Sequence, residues 1–276
     1  MAEELAAVRA RIRGVRQLDA VIGAMRGIAA AHAQQSRGLL PGVRAYAEVV
    51  AQAIAEALRM HDSDARTGSA QHGKARVVFC AEQGFVGGFA EHMLADAAAR
   101  EPADIFLLGS RGMLLAAAHG IAPVWQSTMA TEPGGISGVC LRLADALYER
   151  MSSQPVHSVE VLFPIWSGSD GIRVTCQSLL PLDPARFACA RNGMPPLATL
   201  PPEALLANLA EEYVFASLCE AAMQAFVAEN EARAAAMVRA RGKVQDMLDG
   251  LALTEHRVRQ EAITAELVEL AAATLA

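Results

Sequence analysis

Apolar residues near the start of the chain recur in steps of three and four: Leu5, Val8, Ile12, Val15, Leu18, Ile22, Met25 and Ala29, with no proline between Ala2 and Gly38. That spacing predicts a long helix with a seam along one side. Pro41-Gly42 is expected to kink or break it, because an interior proline costs about 3 kcal/mol. VRAYAEVVAQAIAEALRM then predicts a second helical stretch as far as residue 60. The polar run HDSDARTGSAQHGK, residues 61–74, reads as a loop.

The period then changes. ARVVFC, ADIFLLG, IAPVWQ, HSVEVLF and GIRVTCQSLL are apolar runs of strand length, and helical stretches at 89–100, 111–119 and 136–151 lie among them. Such alternation predicts an α/β domain of Rossmann-like type over residues 74–182. Prolines at 181, 184, 195, 196, 201 and 202 mark a linker over 183–202. From Glu203 to Ala276 there is no proline, and Ala, Leu, Glu and Met dominate. Unbroken, that segment would be a helix of roughly 110 Å, which needs a partner along its length. Its seam is expected at Met237, Ala240, Val244, Met247, Leu251, Thr254, Val258, Ala262 and Ala265.

Charge indicates the partner. Residues 5–37 carry six arginines (9, 11, 13, 16, 26 and 37) against one acid, Asp19. Residues 203–276 carry six basic side chains against twelve acidic ones. An antiparallel coiled coil of the two chain ends, with the α/β domain inserted between them, satisfies both seams and both charge patterns. The competing arrangement is an ordinary helical bundle closed on itself.

AEQGFVGGF, residues 81–89, follows the first strand and opens a helix, the general setting of a phosphate loop. Its G-x-x-G-G spacing matches neither G-x-G-x-x-G nor G-x-x-x-x-G-K-[ST], Glu82 stands beside it, and no lysine follows. A tight strand-to-helix turn built on Gly84, Gly87 and Gly88 is the reading these residues favour.

Composition narrows the function classes. The chain has 276 residues, 53% hydrophobic and 20% charged, enough for a substantial core. A net charge of -6 and 5% aromatics argue against nucleic acid as the partner. The five cysteines (80, 140, 176, 189 and 219) form no C-x-x-C pair, and the seven histidines show no H-x-x-x-H spacing, so no metal site or cofactor is expected. Arginines interrupt every apolar run of MAEELAAVRARIRGVR, and no later run has the length of a membrane span. No paired carboxylates or Ser-His-Asp constellation stand out.

Near the end of the chain, TEHRVRQEAITAELVELAAA (254–273) holds Arg259-Gln260 followed by Ile263, Thr264, Glu266 and Glu269. This order resembles the terminus of gamma subunits of F-type ATP synthases, an Arg-Gln pair and then I-T-x-E-x-x-E. RIRGVRQLDAVIGAMRGIAAA (11–31) is similar to that family's first helix, with Ala24-Met25 and Ala29-Ala30-Ala31 retained. RAYAE (44–48) resembles R-P-Y-A-E, and GFVGGF (84–89) resembles G-L-C-G-G-L, a structural turn in that family. PPEALLANLAEEYVFASL (201–218) and ENEARAAAM (229–237) extend the likeness over nearly the whole chain. Departures fall at Ala273-Thr274, at His32-Ala33-Gln34-Gln35 and at Glu255-His256, as in a divergent paralogue such as the gamma chain of a sodium-moving N-type ATPase.

The resemblance implies a non-catalytic rotor shaft. Its partners would be three alpha and three beta subunits, an epsilon subunit and the membrane c-ring, at the cytoplasmic face of the bacterial inner membrane. It implies contacts of Arg259 and Gln260 with beta-subunit loops, and makes Glu266, Arg9, Arg13 and Met25 further contact candidates. Without it, Arg259, Gln260 and Glu266 read as a solvated helix face, the arginines as partners of the acidic helix, and Met25 as seam packing. A nucleotide-binding enzyme with helical extensions and a coiled-coil tether are the readings from other classes.

Overall fold

The computed structural model describes residues 2–60, 73–183, 187 and 197–274. Most of the expected 61–74 loop and of the 183–202 linker, with His61, His72 and Cys189, lies outside these residues. The chain divides into two compact units, Met1–Ala30 with Arg233–Ala276, and Ala31–Ala232. Helix α1 (Ala2–Met60) and helix α5 (Pro202–Thr274) contribute to both.

In the first unit the two helices run antiparallel. Arg9 pairs with Glu255 and Asp19 with Arg241, so residue numbers rise along one helix as they fall along the other. Between them Val15, Ile22, Met237 and Val244 are buried, with Met25, Ala240, Leu248 and Leu251 packed alongside. Two expected seam positions are displaced by one residue. Leu18 is 49% exposed, and Asp19 takes its place against Arg241; Met247 is 46% exposed, and Leu248 packs instead. Steps of three and four both approximate a 3.6-residue turn, so apolar spacing alone does not fix which neighbour faces inward.

The second unit contains a sheet of five strands among the described residues, in the order β3-β2-β1-β4-β5. These are β1 (Gly73–Phe79), β2 (Asp104–Leu108), β3 (Trp125–Ser127), β4 (Val156–Trp166) and β5 (Ile172–Leu180). The first four are parallel and β5 is antiparallel to β4. Helices α2 (Phe89–Ala99), α3 (Ser110–Leu115) and α4 (Ile136–Ser153) connect the parallel strands, which gives the doubly wound order expected of a Rossmann-like domain. Gly73 and Lys74, expected in the loop, already belong to β1.

Strand residues alternate between two cores, as a side-chain period of two requires. Val77, Phe79, Phe106, Leu108, Val161 and Phe163 face α4 and the apolar face of α5, including Leu143, Leu147, Leu218 and Phe226. Val78, Ile105, Leu107 and Leu162 face α2 through Phe89, Met93 and Leu94. Both faces are covered, which is why these strands read as continuous apolar runs rather than alternating ones. Arg76 is the charged exception, 2% exposed and opposite Glu160 across β1 and β4. It forms an ion pair with Glu160 and donates to the Ala97 carbonyl at 3.2 Å, so its charge is not left bare.

Of the kink or break expected at Pro41, the break does not occur: helix α1 continues through it. The ring sits on an exposed face, while Leu40 and Val43 on either side pack against the core and Val50 and Ile54 bury further along. That packing offsets the one hydrogen bond proline removes. Alongside α5 here, His32 lies 6.0 Å from the Phe226 ring, Arg37 pairs with Glu231, and Arg44 pairs with Glu220. Ala33 and Ser36 have no exposure in this stretch, and Ala222, Ala225 and Ala228 of α5 have 0–4%.

Candidate functional site

The helix pair of the first unit holds most of the residues singled out in the sequence. Arg9 Nε donates to Glu255 Oε1 at 2.9 Å, and Arg259 reaches the same oxygen at 2.8 Å from one turn further along α5. Arg9 and Arg259 are thereby brought together on one carboxylate. The guanidinium of Arg9 lowers the pKa of the Glu255 carboxyl from its ordinary value against an opposing desolvation, and Arg259 adds to the lowering. The pair expected of Arg9 with the acidic helix therefore exists, and it engages Arg259 as well.

The other candidates lie apart from this cluster. Arg13 is exposed on α1, and Met25 is half-buried among Ala240, Val244 and their neighbours. Gln260 is exposed, and its carbonyl accepts the Thr264 hydroxyl at 2.8 Å. Glu266 is exposed. Gln260, Thr264 and Val268 line a shallow groove of about 650 Å³ along α5, with Ile263 and Leu267 also exposed nearby on the helix. A helix end that shows apolar side chains beside Gln260 and Arg259 is chemically suited to a protein surface rather than to a small molecule.

In the second unit the glycine turn follows β1 as expected. Gly87 adopts φ +66°, which favours glycine, and Gly88 precedes α2 and accepts from His92. Gly84 is not constrained in this way, since a Cβ there would meet nothing within 4 Å. The tightest positions are Gly109, at φ +106° with the Cys80 carbonyl 2.5 Å from where a Cβ would stand, and Gly112, whose Cβ would lie 2.4 Å from that of Cys80. The local sequence marks neither glycine, because the constraint on both comes from Cys80 just past β1.

Two amides just ahead of the glycines are already occupied. Backbone N–H groups of Glu82 and Gln83 donate to Oε2 and Oε1 of Glu229 at 2.9 and 3.0 Å. Glu82 in turn accepts from the Ser110 amide at 3.0 Å, the Ser110 hydroxyl at 2.6 Å and the Met129 amide at 2.7 Å. Two carboxylates thus take up backbone N–H groups at the carboxyl edge of the sheet, on the loops that leave β1, β2 and β3. FVAENEARAAAM also holds Asn230, Glu231 and Arg233, so nothing in the string singles out Glu229.

Burial pushes the Cys80 thiol far up, and the Cys140 thiol is raised by its hydrogen bond with Cys219 and by burial, so neither is a nucleophile. Two cavities of about 270 and 220 Å³ lie elsewhere, one against Glu56 and Leu205, the other against Trp125 and Arg150. Among the described residues no group of His, Cys, Asp and Glu could hold a metal ion, and no helix is long and apolar enough to cross a membrane.

The family model described as ATP synthase matches residues 4–276. The chain belongs to the ATP synthase family. Among this family's members, the gamma chain of Symbiobacterium thermophilum is 23% identical over 98% of this chain and 97% of its own length. Solved structures agree on the fold. A chain of the mitochondrial ATP synthase of Euglena gracilis, in its OSCP/F1/c-ring assembly, superposes with TM-score 0.66 at 12% identity, over 99% of this chain and 94% of that one. One from the central stalk and c-ring of the Tetrahymena thermophila enzyme gives 0.57 at 14%, over 80% and 99%. In this gamma-type member of the ATP synthase family, the helix pair and the five-stranded domain are therefore the family fold.

Proposed function

We propose that this chain is the central rotor shaft of an F-type ATP synthase, coupling ion flow through a membrane c-ring to ATP synthesis or hydrolysis at alpha and beta subunits. The observation that carries the reading is the antiparallel pairing of α1 with α5, with Arg9 and Arg259 sharing Glu255 on its surface. A pair of helices presents different side chains on each side. Identical beta subunits placed around it would meet different faces and take different nucleotide affinities, and such differential binding is what couples rotation to chemistry.

In this reading the chain is not itself catalytic, and the nucleotide chemistry belongs to the alpha and beta subunits, three of each. Arg259, Gln260, Glu266, Arg9, Arg13 and Met25 carry the contacts with beta, and an epsilon subunit and the c-ring meet the chain elsewhere. The complex sits peripherally on the cytoplasmic face of a bacterial inner membrane. Residues 1–60 and 203–276 form the shaft, and 74–182 the inserted domain.

Reconstitution tests this. Mixed with alpha and beta subunits, the chain is expected to enter a complex at one copy per three of each and to restore ATP hydrolysis. Failure to assemble, or assembly at equal numbers, would remove the rotor reading.

A further inference from the structure

The sheet ends at β3, which pairs with β2, and among the described residues no strand takes up its outer edge. An open edge offers backbone donors and acceptors to an extended segment of another chain. A cleft of about 220 Å³ lies here, between the start of β3 and the last turns of α4. Phe106 and Trp125, with ring centres 6.0 Å apart, give it an aromatic wall, and Val124 adds an apolar side chain that is 46% exposed. An apolar cavity of about 150 Å³ holds benzene, so the cleft has room for a guanidinium and part of its stem.

The charged side chains that line the cleft are Glu149 and Arg150. Arg150 Nε donates to Asp104 Oδ2 at 2.8 Å, which matches its charge. Glu149, one residue earlier on α4, is exposed, and its carboxylate has no ion pair or hydrogen bond among the described residues. Aromatic surface beside one unmatched negative charge is a setting for a cation.

We propose that this cleft is a docking site for a partner protein, seating an arginine side chain carried on an extended segment that runs along β3. A guanidinium packs flat on aromatic surface while its edge donates to a carboxylate, and it sheds water more readily than an ammonium. Lysine would meet Glu149 as a point charge only. A carboxylate guest is disfavoured, because Glu149 repels it and Asp104 already engages Arg150. Main-chain bonds to β3 add the remaining affinity, which makes the occupant a polypeptide rather than a free cation. All of these residues lie within the Ala31–Ala232 unit, and the inference does not depend on the rotor reading.

The full chain has two tryptophans, Trp125 and Trp166, so their indole N–H signals in an NMR titration supply a probe and an internal control. A short capped peptide of valine and threonine around a central arginine should shift the Trp125 signal along a saturating curve and leave that of Trp166 in place. Glu149→Gln, an exposed change that spares the fold, should weaken binding roughly two- to fivefold. The same peptide with lysine should bind more weakly, and with glutamate not detectably. Equal affinity of the Glu149→Gln variant, binding of the glutamate peptide, or no saturable shift at Trp125 would overturn the proposal. Lysine binding as well as arginine would overturn the choice of guanidinium, and free arginine amide binding as tightly as the peptide would overturn the polypeptide occupant.

Discussion

Arg9 and Glu255 stand 246 residues apart in sequence and 2.9 Å apart in space, with Arg259 sharing the same carboxylate oxygen. The link joins the basic start of the chain to the acidic end of α5, and it consumes part of the charge that a partner protein would otherwise meet. Arg11, Arg13 and Arg16 are exposed around it.

Because the guanidinium of Arg9 depresses the Glu255 carboxyl, the folded-state pKa lies below the ordinary 4.5. A depressed folded pKa contributes stability that is present above the unfolded value and is lost as pH falls through the folded one. Carboxyl-carbon NMR should therefore find Glu255 titrating below 4.5, and Arg9→Ala should move the midpoint upward. Water reaches this carboxylate, so added salt should shrink the shift. A midpoint at or above 4.5 in the parent chain would count against the pairing.

The glycines divide by geometry rather than by motif. Gly112→Ala forces a Cβ into that of Cys80, and we predict a loss of about 1–3 kcal/mol by chemical denaturation. Gly84→Ala, although inside the GFVGGF string, should change stability by less than about 0.5 kcal/mol. Equal effects of the two would contradict the packing of α3 on the end of β1.

Arg259→Ala with Gln260→Ala is expected to lower coupled ATP turnover in the assembled complex while the isolated chain melts within a few degrees of the parent. Both side chains are exposed and make no buried contact, so their removal touches little of the fold. Unaltered turnover and torque would show that these two positions carry no contact with beta.

Much of this architecture was legible because burial leaves a periodic trace. The runs VVF, IFLL and VLF are apolar throughout since helices cover both sheet faces, and they mark β1, β2 and β4. Leu18 and Met247 misled because an apolar residue just off the seam costs little exposed on a helix, and Asp19 entered the seam by pairing with Arg241. Pro41 does not break α1, and the sequence could not exclude a break because the proline's local penalty is visible there while the packing of Leu40 and Val43 is not. The hold of Glu229 on the loop after β1 could not be read at all, since the groups it takes there are backbone amides and have no identity in the one-letter string.

The buried small residues of this stretch, Ala33 and Ser36 on α1 and Ala222, Ala225 and Ala228 on α5, have a mechanical corollary. Alanine has no side-chain torsion to turn, and serine has little more than one hydroxyl to swing. Under strain, buried positions of this kind cannot creep by rotamer hopping as leucines would. They either keep their spacing or move with whole backbones, so this part of the molecule behaves as a hard coupling rather than a cushion.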